Sequence, residues 1–340
     1  MQVIKPFLFV SAMILSFSLT YAQTKINKLF SSKEKLSLKL TFSNKDVKKT
    51  NDSTYIDTDL FYKSETGDWI DFPVGLRARG NFRRNTCYFP PIKMKISKSD
   101  SKETLFQGNK KLKLVLPCKI EKDLNDNILK EFIAYKLYGH ISPYHFKTRL
   151  VDIQFREVKR KKHKDYQLTG FLIEDDKKVA KFHEGKVFER FIHPLAMDAE
   201  TSVQNALFQY MIGNTDFSVA YQHNGKLLYV NKKILPLPYD FDMSGLVNAS
   251  YSVANETLGI ERVTDRVYRG FKRDEAVLQK IREQFLSKKT EILETVKSFE
   301  NEFDNPKEYA EAFSYINSFF TIIESDANFK SKIIMKARTK

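Results

Sequence analysis

Gly213-Asn214-Thr215-Asp216 and Pro238-Tyr239-Asp240-Phe241-Asp242 stand on either side of two short apolar runs, Lys226 to Val230 and Ile234 to Leu237. The runs read as the two strands of a hairpin, because each is strand-length and rich in Leu, Ile, Tyr and Val, and Asn231-Lys232-Lys233 separates them. A hairpin returns the chain to its starting point, so it brings Asp216 and Asp240 close although 24 positions separate them. Two carboxylates so placed are what phosphoryl transfer needs, one to orient an attacking hydroxyl and one to hold the cation that bridges the phosphates. Taken singly, each motif is also ordinary turn chemistry, with Asn-Thr-Asp closing a turn and Asp-Phe-Asp opening a loop.

Outward from this segment the second half reads as helical. Asp198 to Ile212 begins on an Asp cap, carries Val203, Leu207, Tyr210 and Met211 on one face and stops at Gly213. Arg273 to Phe299 and Pro306 to Ser325 have the 3.6-residue period of long amphipathic helices. The first half reads as strands: Lys35 to Phe42, Trp69 to Leu76, Ile92 to Ile96, Leu112 to Leu116, Arg149 to Phe155 and Tyr166 to Ile173. One helix interrupts them, Leu124 to Tyr138, with apolar residues at 128, 129, 132, 133 and 137 and a stop at Gly139. The expectation is an α+β chain of two lobes, a β-rich N-terminal lobe over 23–178 and a mainly helical C-terminal lobe over 179–330, followed by a basic tail, 331–340.

Residues 1–22 have the pattern of a signal peptide: Lys5 precedes the apolar run Phe7 to Leu19, and small residues end at Ala22. The chain is therefore expected to be exported, periplasmic or extracellular, with no membrane span after cleavage. Export permits a disulfide, and the only two cysteines, Cys87 and Cys118, make an even count that suits one bridge. The net charge of +15 includes one dense cluster, Lys159 to Lys164, which lies between two strands and reads as a solvated hairpin loop rather than a nucleic-acid site. The basic surface suits phosphorylated or acidic partners. No nucleophile elbow, His-Glu-x-x-His or zinc-ligand spacing is present.

A phosphoryl-transfer reading asks the first half for a cation and a carboxylate to hold it. Lys93 and Lys95 share one face of a strand, and Glu131 lies on the helix that follows. Arg77-Ala-Arg79-Gly80-Asn81-Phe82-Arg83-Arg84 adds a Gly-Asn turn with arginines on both sides, able to offer backbone N–H groups and guanidinium forks to a phosphate.

These residues together resemble the spore-coat protein H (CotH) kinase-like family, over roughly residues 75 to 250. The clearest marks are Arg79-Gly80-Asn81 and Tyr239-Asp240-Phe241-Asp242, with the Gly-Phe-Leu-Ile-Glu strand at 170 to 174 between them. The Asn-Thr-Asp turn also resembles the catalytic turn of HipA-type kinases. The resemblance implies a bilobal protein-kinase-like fold and an atypical kinase that uses ATP with Mg or Mn to phosphorylate a protein or envelope hydroxyl. It makes Asp216 the catalytic carboxylate and Lys93 the nucleotide lysine with Glu131 as its partner. Arg79, Gly80, Asn81 and Lys95 join Lys93 around the nucleotide, and Asp240 or Asp242 holds the metal. The chain departs from the pattern five residues after Asp216, where Tyr221 stands in place of a metal-binding Asn; Gln222 and Asn224 are the nearest substitutes. No Gly-rich loop of the ordinary kind is present either. A catalytically inactive kinase-like binding protein of the cell envelope, recognising a polymer or a protein, is the alternative.

Overall fold

The computed structural model describes residues 27–80, 82–121 and 124–339. Ten strands are present among them: β1 (Leu36–Phe42), β2 (Ile56–Lys63), β3 (Trp69–Ala78), β4 (Ile92–Ile96), β5 (Lys111–Val115), β6 (Thr148–Lys159), β7 (Lys162–Ile173), β8 (Lys186–Phe188), β9 (Gly225–Val230) and β10 (Lys233–Pro238). The α-helices are α1 (Asn44–Lys49), α2 (Phe82–Thr86), α3 (Leu124–Ile141), α4 (Asp176–Phe182), α5 (Ala199–Met211), α6 (Glu275–Ser287), α7 (Lys289–Lys297), α8 (Pro306–Glu324) and α9 (Asp326–Phe329). The expected leader, 1–22, and Asn81 lie outside the described residues.

The first seven strands close into a barrel in the order β1-β2-β3-β4-β5-β7-β6, and this overturns the bilobal kinase-like expectation. Closure comes from parallel pairing of β1 with β6, Leu36 opposite Val151 through Phe42 opposite Glu157. The alternation in each strand makes the barrel: Leu38, Leu40, Leu60, Val74, Leu76, Ile92, Met94, Leu112, Leu114, Ile153 and Leu172 point inward and fill it as one apolar cluster. The join between β1 and β3 is β2, whose Ile-Asp-Thr-Asp half is too polar to stand out as a strand and whose second half buries Leu60 and Tyr62. At Gly170 an added Cβ would lie 2.6 Å from the Val115 carbonyl oxygen, so only glycine allows β7 to sit this close to the end of β5.

The second apolar cluster starts on the outer wall of the same barrel. Val115, Leu150, Phe171 and Ile173 face outward onto α3, and the cluster continues through α5, β9, β10 and α6 to α9 without a break. The helical part is thus packed directly on the barrel wall. The hairpin is as expected, β9 and β10 pairing from Gly225 with Pro238 to Val230 with Lys233, and β8 adds a third strand to it. The basic run is shorter than a loop: β6 and β7 pair up to Lys159 with Lys162, leaving Arg160 and Lys161 as the turn, with Arg160 at φ 47°. Among the described residues no helix is long and apolar enough to cross a membrane.

Cys87 and Cys118 form the expected disulfide, with Cα atoms 4.4 Å apart. The bridge ties the end of α2 to the segment after β5, where Tyr88 N also donates to the Cys118 carbonyl. Closing a loop with a sequence separation of 31 should stabilise the fold by about 3 to 4 kcal/mol in the chain-entropy model. Urea unfolding with and without reductant measures this; equal midpoints would show that the bridge contributes nothing.

Candidate functional site

The loop that carries Asp216 is set at its start by Gly213, which has φ +63° and whose added Cβ would fall 1.9 Å from the Tyr315 hydroxyl. Asn214 is buried and bonds Gln209 Oε1 through its Nδ2, while its Oδ1 accepts from Asp216 N at 2.9 Å. That Asx turn aims the Asp216 side chain away from α5. Arg269 donates to the Thr215 and Phe217 carbonyls and holds the same loop from behind.

Asp216 accepts hydrogen bonds from His223 Nε2 at 3.0 Å and from Asn224 Nδ2 at 2.8 Å. Asn224, eight residues on, is therefore the amide partner of Asp216, while Tyr221 at the fifth position points to solvent and is 80% exposed. The three extra residues are taken up by a small bridge between Ser218 and His223, with Gln222 and Asn224 at positive φ. The hairpin then returns beside it. Gly225 pairs with Pro238, and Tyr239 N lies 3.4 Å from the Asn224 carbonyl oxygen, which sets Asp240 next to the Asp216 loop.

Asp240 also has positive φ, 66°, a strained conformation for a residue with a side chain. It is held there by α3, whose buried Tyr135 accepts from Asp240 N through its hydroxyl at 2.9 Å. The Asp240 carboxylate faces Arg79 at 3.6 Å. Asp242 is buried, accepts from the Tyr251 hydroxyl at 3.1 Å and faces Arg83 at 3.5 Å; Glu131 faces the other side of Arg83 at 3.8 Å. Burial raises the pKa of both acids against the opposing pull of Arg83, and Glu131 is pushed up to about 8. Arg83 is kept charged throughout by the same two acids.

The partner expected for Glu131 was Lys93, and this pairing is corrected: no ion pair joins them among the described residues, and Arg83 takes the place. Lys93 sits on the outward face of β4 between Arg77 and Lys113. Lys95, two residues along, is exposed and lies 5.6 Å from the Tyr55 ring. The lysine beside Tyr239 is Lys113 on β5, with Nζ 4.7 Å from the Phe146 ring and 5.4 Å from that of Tyr239. Burial lowers its pKa to about 8, partly offset by Asp176 and Asp175 at the start of α4. Gly80 turns the chain with φ +69° just before α2. Lys113, Tyr135 and Tyr251 were not singled out from the sequence, and Arg83 was read only as one of the arginines flanking the Gly-Asn turn. The available signals were the tie of Cys87 beside Arg83 and the Lys-Leu-Lys alternation at 111 to 113, equal to that of Lys93 and Lys95.

Several buried charged atoms here have no hydrogen-bonding partner within the protein: Arg79 Nε and Nη2, Arg83 Nε and Nη1, Glu131 Oε1 and Asp240 Oδ1. Arg83 Nε, Arg83 Nη1 and Asp240 Oδ1 each face an opposite charge at 3.5 to 3.8 Å, which leaves Arg79 Nε and Nη2 and Glu131 Oε1 without a close protein partner. The donor set is not a closed metal cage. Among the described residues no three His, Cys, Asp or Glu side chains come together as a metal-binding group. Of the expected metal ligands, Asp242 is engaged by Arg83 and Tyr251, and Asn224 by Asp216; Asp240 alone keeps an oxygen in the cleft without a hydrogen bond. Comparison with protein-family models and with curated proteins gives no match to this chain, so its chemistry is argued from this geometry.

Proposed function

We propose that this chain is an exported phosphotransferase that moves the terminal phosphoryl group of a nucleoside triphosphate to a hydroxyl on a protein or envelope molecule, as its resemblance to the CotH family implies. The observation that carries the reading is the meeting of Asp216, Asn224 and Asp240 at the open end of one hairpin, with Arg79 facing Asp240 and keeping two N–H groups without a hydrogen bond. Asp216 orients the acceptor hydroxyl and takes its proton as the new oxygen–phosphorus bond forms and the bond to the leaving diphosphate breaks. His223 and Asn224 fix the direction of that carboxylate. Arg79 and Lys113 meet the phosphates, and the divalent cation arrives as part of the metal–nucleotide substrate, with Asp240 placed toward it. Export is supported by the leader-like N-terminus and by the disulfide, which persists in oxidising compartments.

The second reading, an envelope-binding protein without turnover, is favoured by one contact: Arg79 is already paired with Asp240, the two groups a nucleotide and its cation would need. Thermal unfolding with ATP and Mg²⁺ or Mn²⁺ separates the two. A nucleotide at a hundred times its dissociation constant should add about 2.7 kcal/mol, and Arg79→Met should remove that gain. Labelled phosphate from ATP should then appear on an envelope fraction. Folded protein that gains no stability from nucleotide with either cation would leave only the binding reading.

A further inference from the structure

The barrel's outer face along the ends of β3, β4 and β5 carries cations set directly against one another. In the sheet register Arg77 is opposite Lys93, Lys93 opposite Lys113, and Lys95 opposite Lys111. Like charges opposite one another on one face destabilise a sheet, and neighbouring strands are only about 4.8 Å apart. On β6 and β7, by contrast, Arg156 meets Asp165 with two hydrogen bonds, and the like-charged Lys159 and Lys162 come opposite each other only at the turn. Here Lys93, Lys95, Lys111 and Lys113 have no carboxylate within ion-pair distance among the described residues. Arg79 continues the row at the cleft.

Asp175 and Asp176 at the start of α4 lie near the Lys113 end of this face, and at the other end a carboxylate comes in from a loop outside the sheet. Asp52, 97% exposed at its side chain, is ion-paired with Arg77, and Arg77, Lys93 and Arg84 all draw its carboxyl below the usual carboxylate range. It stands on a loop shaped by Asn51, whose Oδ1 accepts from Ser53 N and Thr54 N. A carboxylate so exposed, held among three cations, marks where an external anion would sit. Tyr55 on this face lies against Gly75 and is flanked by Arg77 and Lys95.

We propose that this face is a docking track for a linear polyanion of phosphate groups, which displaces Asp52 and runs across Arg77, Lys93 and Lys113 toward Arg79. The row of three cations spans about 10 Å, and Lys95 and Lys111 form a second row about 7 Å along the strands, so a chain with repeating phosphates meets both. The track ends at Lys113 and Arg79, which the phosphotransfer reading also uses, and under that reading it is where a phosphate-bearing acceptor lies.

The test is binding of the full chain to inorganic polyphosphate and, in a parallel arm, to poly(glycerol phosphate), followed by fluorescence anisotropy. Affinity should fall about tenfold or more between about 50 and 200 mM salt, and Lys95→Gln with Lys111→Gln should weaken it about tenfold with a shallower salt slope. Asp52→Asn should tighten it about threefold by removing the competing anion. The arm that binds more tightly tells a free phosphate chain from an envelope polymer. Asp240→Asn, which the phosphotransfer reading expects to impair turnover, should keep polyanion binding, so the two ideas fail separately. No binding at low salt, an unchanged affinity in the double variant or in Asp52→Asn, or equal affinity for single-stranded DNA of matched charge would each overturn the track.

Discussion

Asp216→Asn is expected to lower phosphoryl transfer by about 10² to 10⁴-fold, the range for loss of a positioned general base, with the fold intact. The amide is nearly isosteric, and Asn224 Nδ2 still has the Asp216 backbone carbonyl to donate to at 2.7 Å, so the loop has no reason to move. What is lost is the group that takes the hydroxyl proton. Asp240→Asn should cost a comparable factor by a different route, since it removes charge where the phosphates and their cation meet. Because the two act on one transition state, the double variant should be little worse than either single one. Initial rates with labelled ATP, with circular dichroism as the folding control, decide it. Rates within a factor of about three of wild type for both single variants would mean that the transfer chemistry is not here.

The other large effect is structural. Arg83→Ala should destabilise the chain by about 3 to 5 kcal/mol, because it leaves Asp242 and Glu131 buried around a missing cation. Arg83 also donates to the Leu116 carbonyl at 3.0 Å, next to the segment tied by Cys118, so its loss loosens the join of α2 to β5 as well. The sign of the pH dependence follows from the raised pKa of Glu131. A carboxyl whose folded pKa stands at about 8 holds its proton in the folded state after the unfolded chain has released it, so its contribution is complete at acidic pH and is lost as pH rises toward 8. Without Arg83 both carboxyls shift further up, so for Glu131 the deficit of Arg83→Ala should be level below about pH 7 and grow as pH passes about 8 toward about 9, where only the wild type releases that proton. Urea midpoints across that range measure it. A deficit below about 1 kcal/mol, or one that is flat with pH, would show that Arg83 is not the counter-charge of this cluster.

The site was legible in part. The nearness of Asp216 and Asp240 was legible because a hairpin is a local object: Gly213, the two strand-like runs and the polar turn between them all lie within thirty positions, and local patterns carry that information. Asn224 was within reach as a substitute for Tyr221, but the Ser218 and His223 bridge that makes it the partner depends on backbone conformation at Gln222 and Asn224. The Lys93 and Glu131 pairing failed for a different reason. Period two told correctly that Lys93 points off the strand opposite to Met94, yet Lys111 and Lys113 obey the same rule, and which outward lysine meets the helical part depends on where α3 packs. Glu131 itself gives no local sign that it is buried, and the guanidinium that reaches it comes from α2, 48 positions earlier.

By itself the sequence determined most of the elements: strands from alternation, α3, α5 and α8 from their apolar faces, caps and stops, the hairpin from its flanks, and the disulfide from an even pair of cysteines. These are short-range consequences of side-chain period and backbone preference, which hold wherever the segment sits. Only the tertiary structure decided that the seven strands close. Closure needs β1 to pair with β6, more than a hundred residues away, and that choice is made by how well whole inward faces fill one interior. It also decided which charges meet, because a salt bridge depends on the position of two elements and not on the pattern within either.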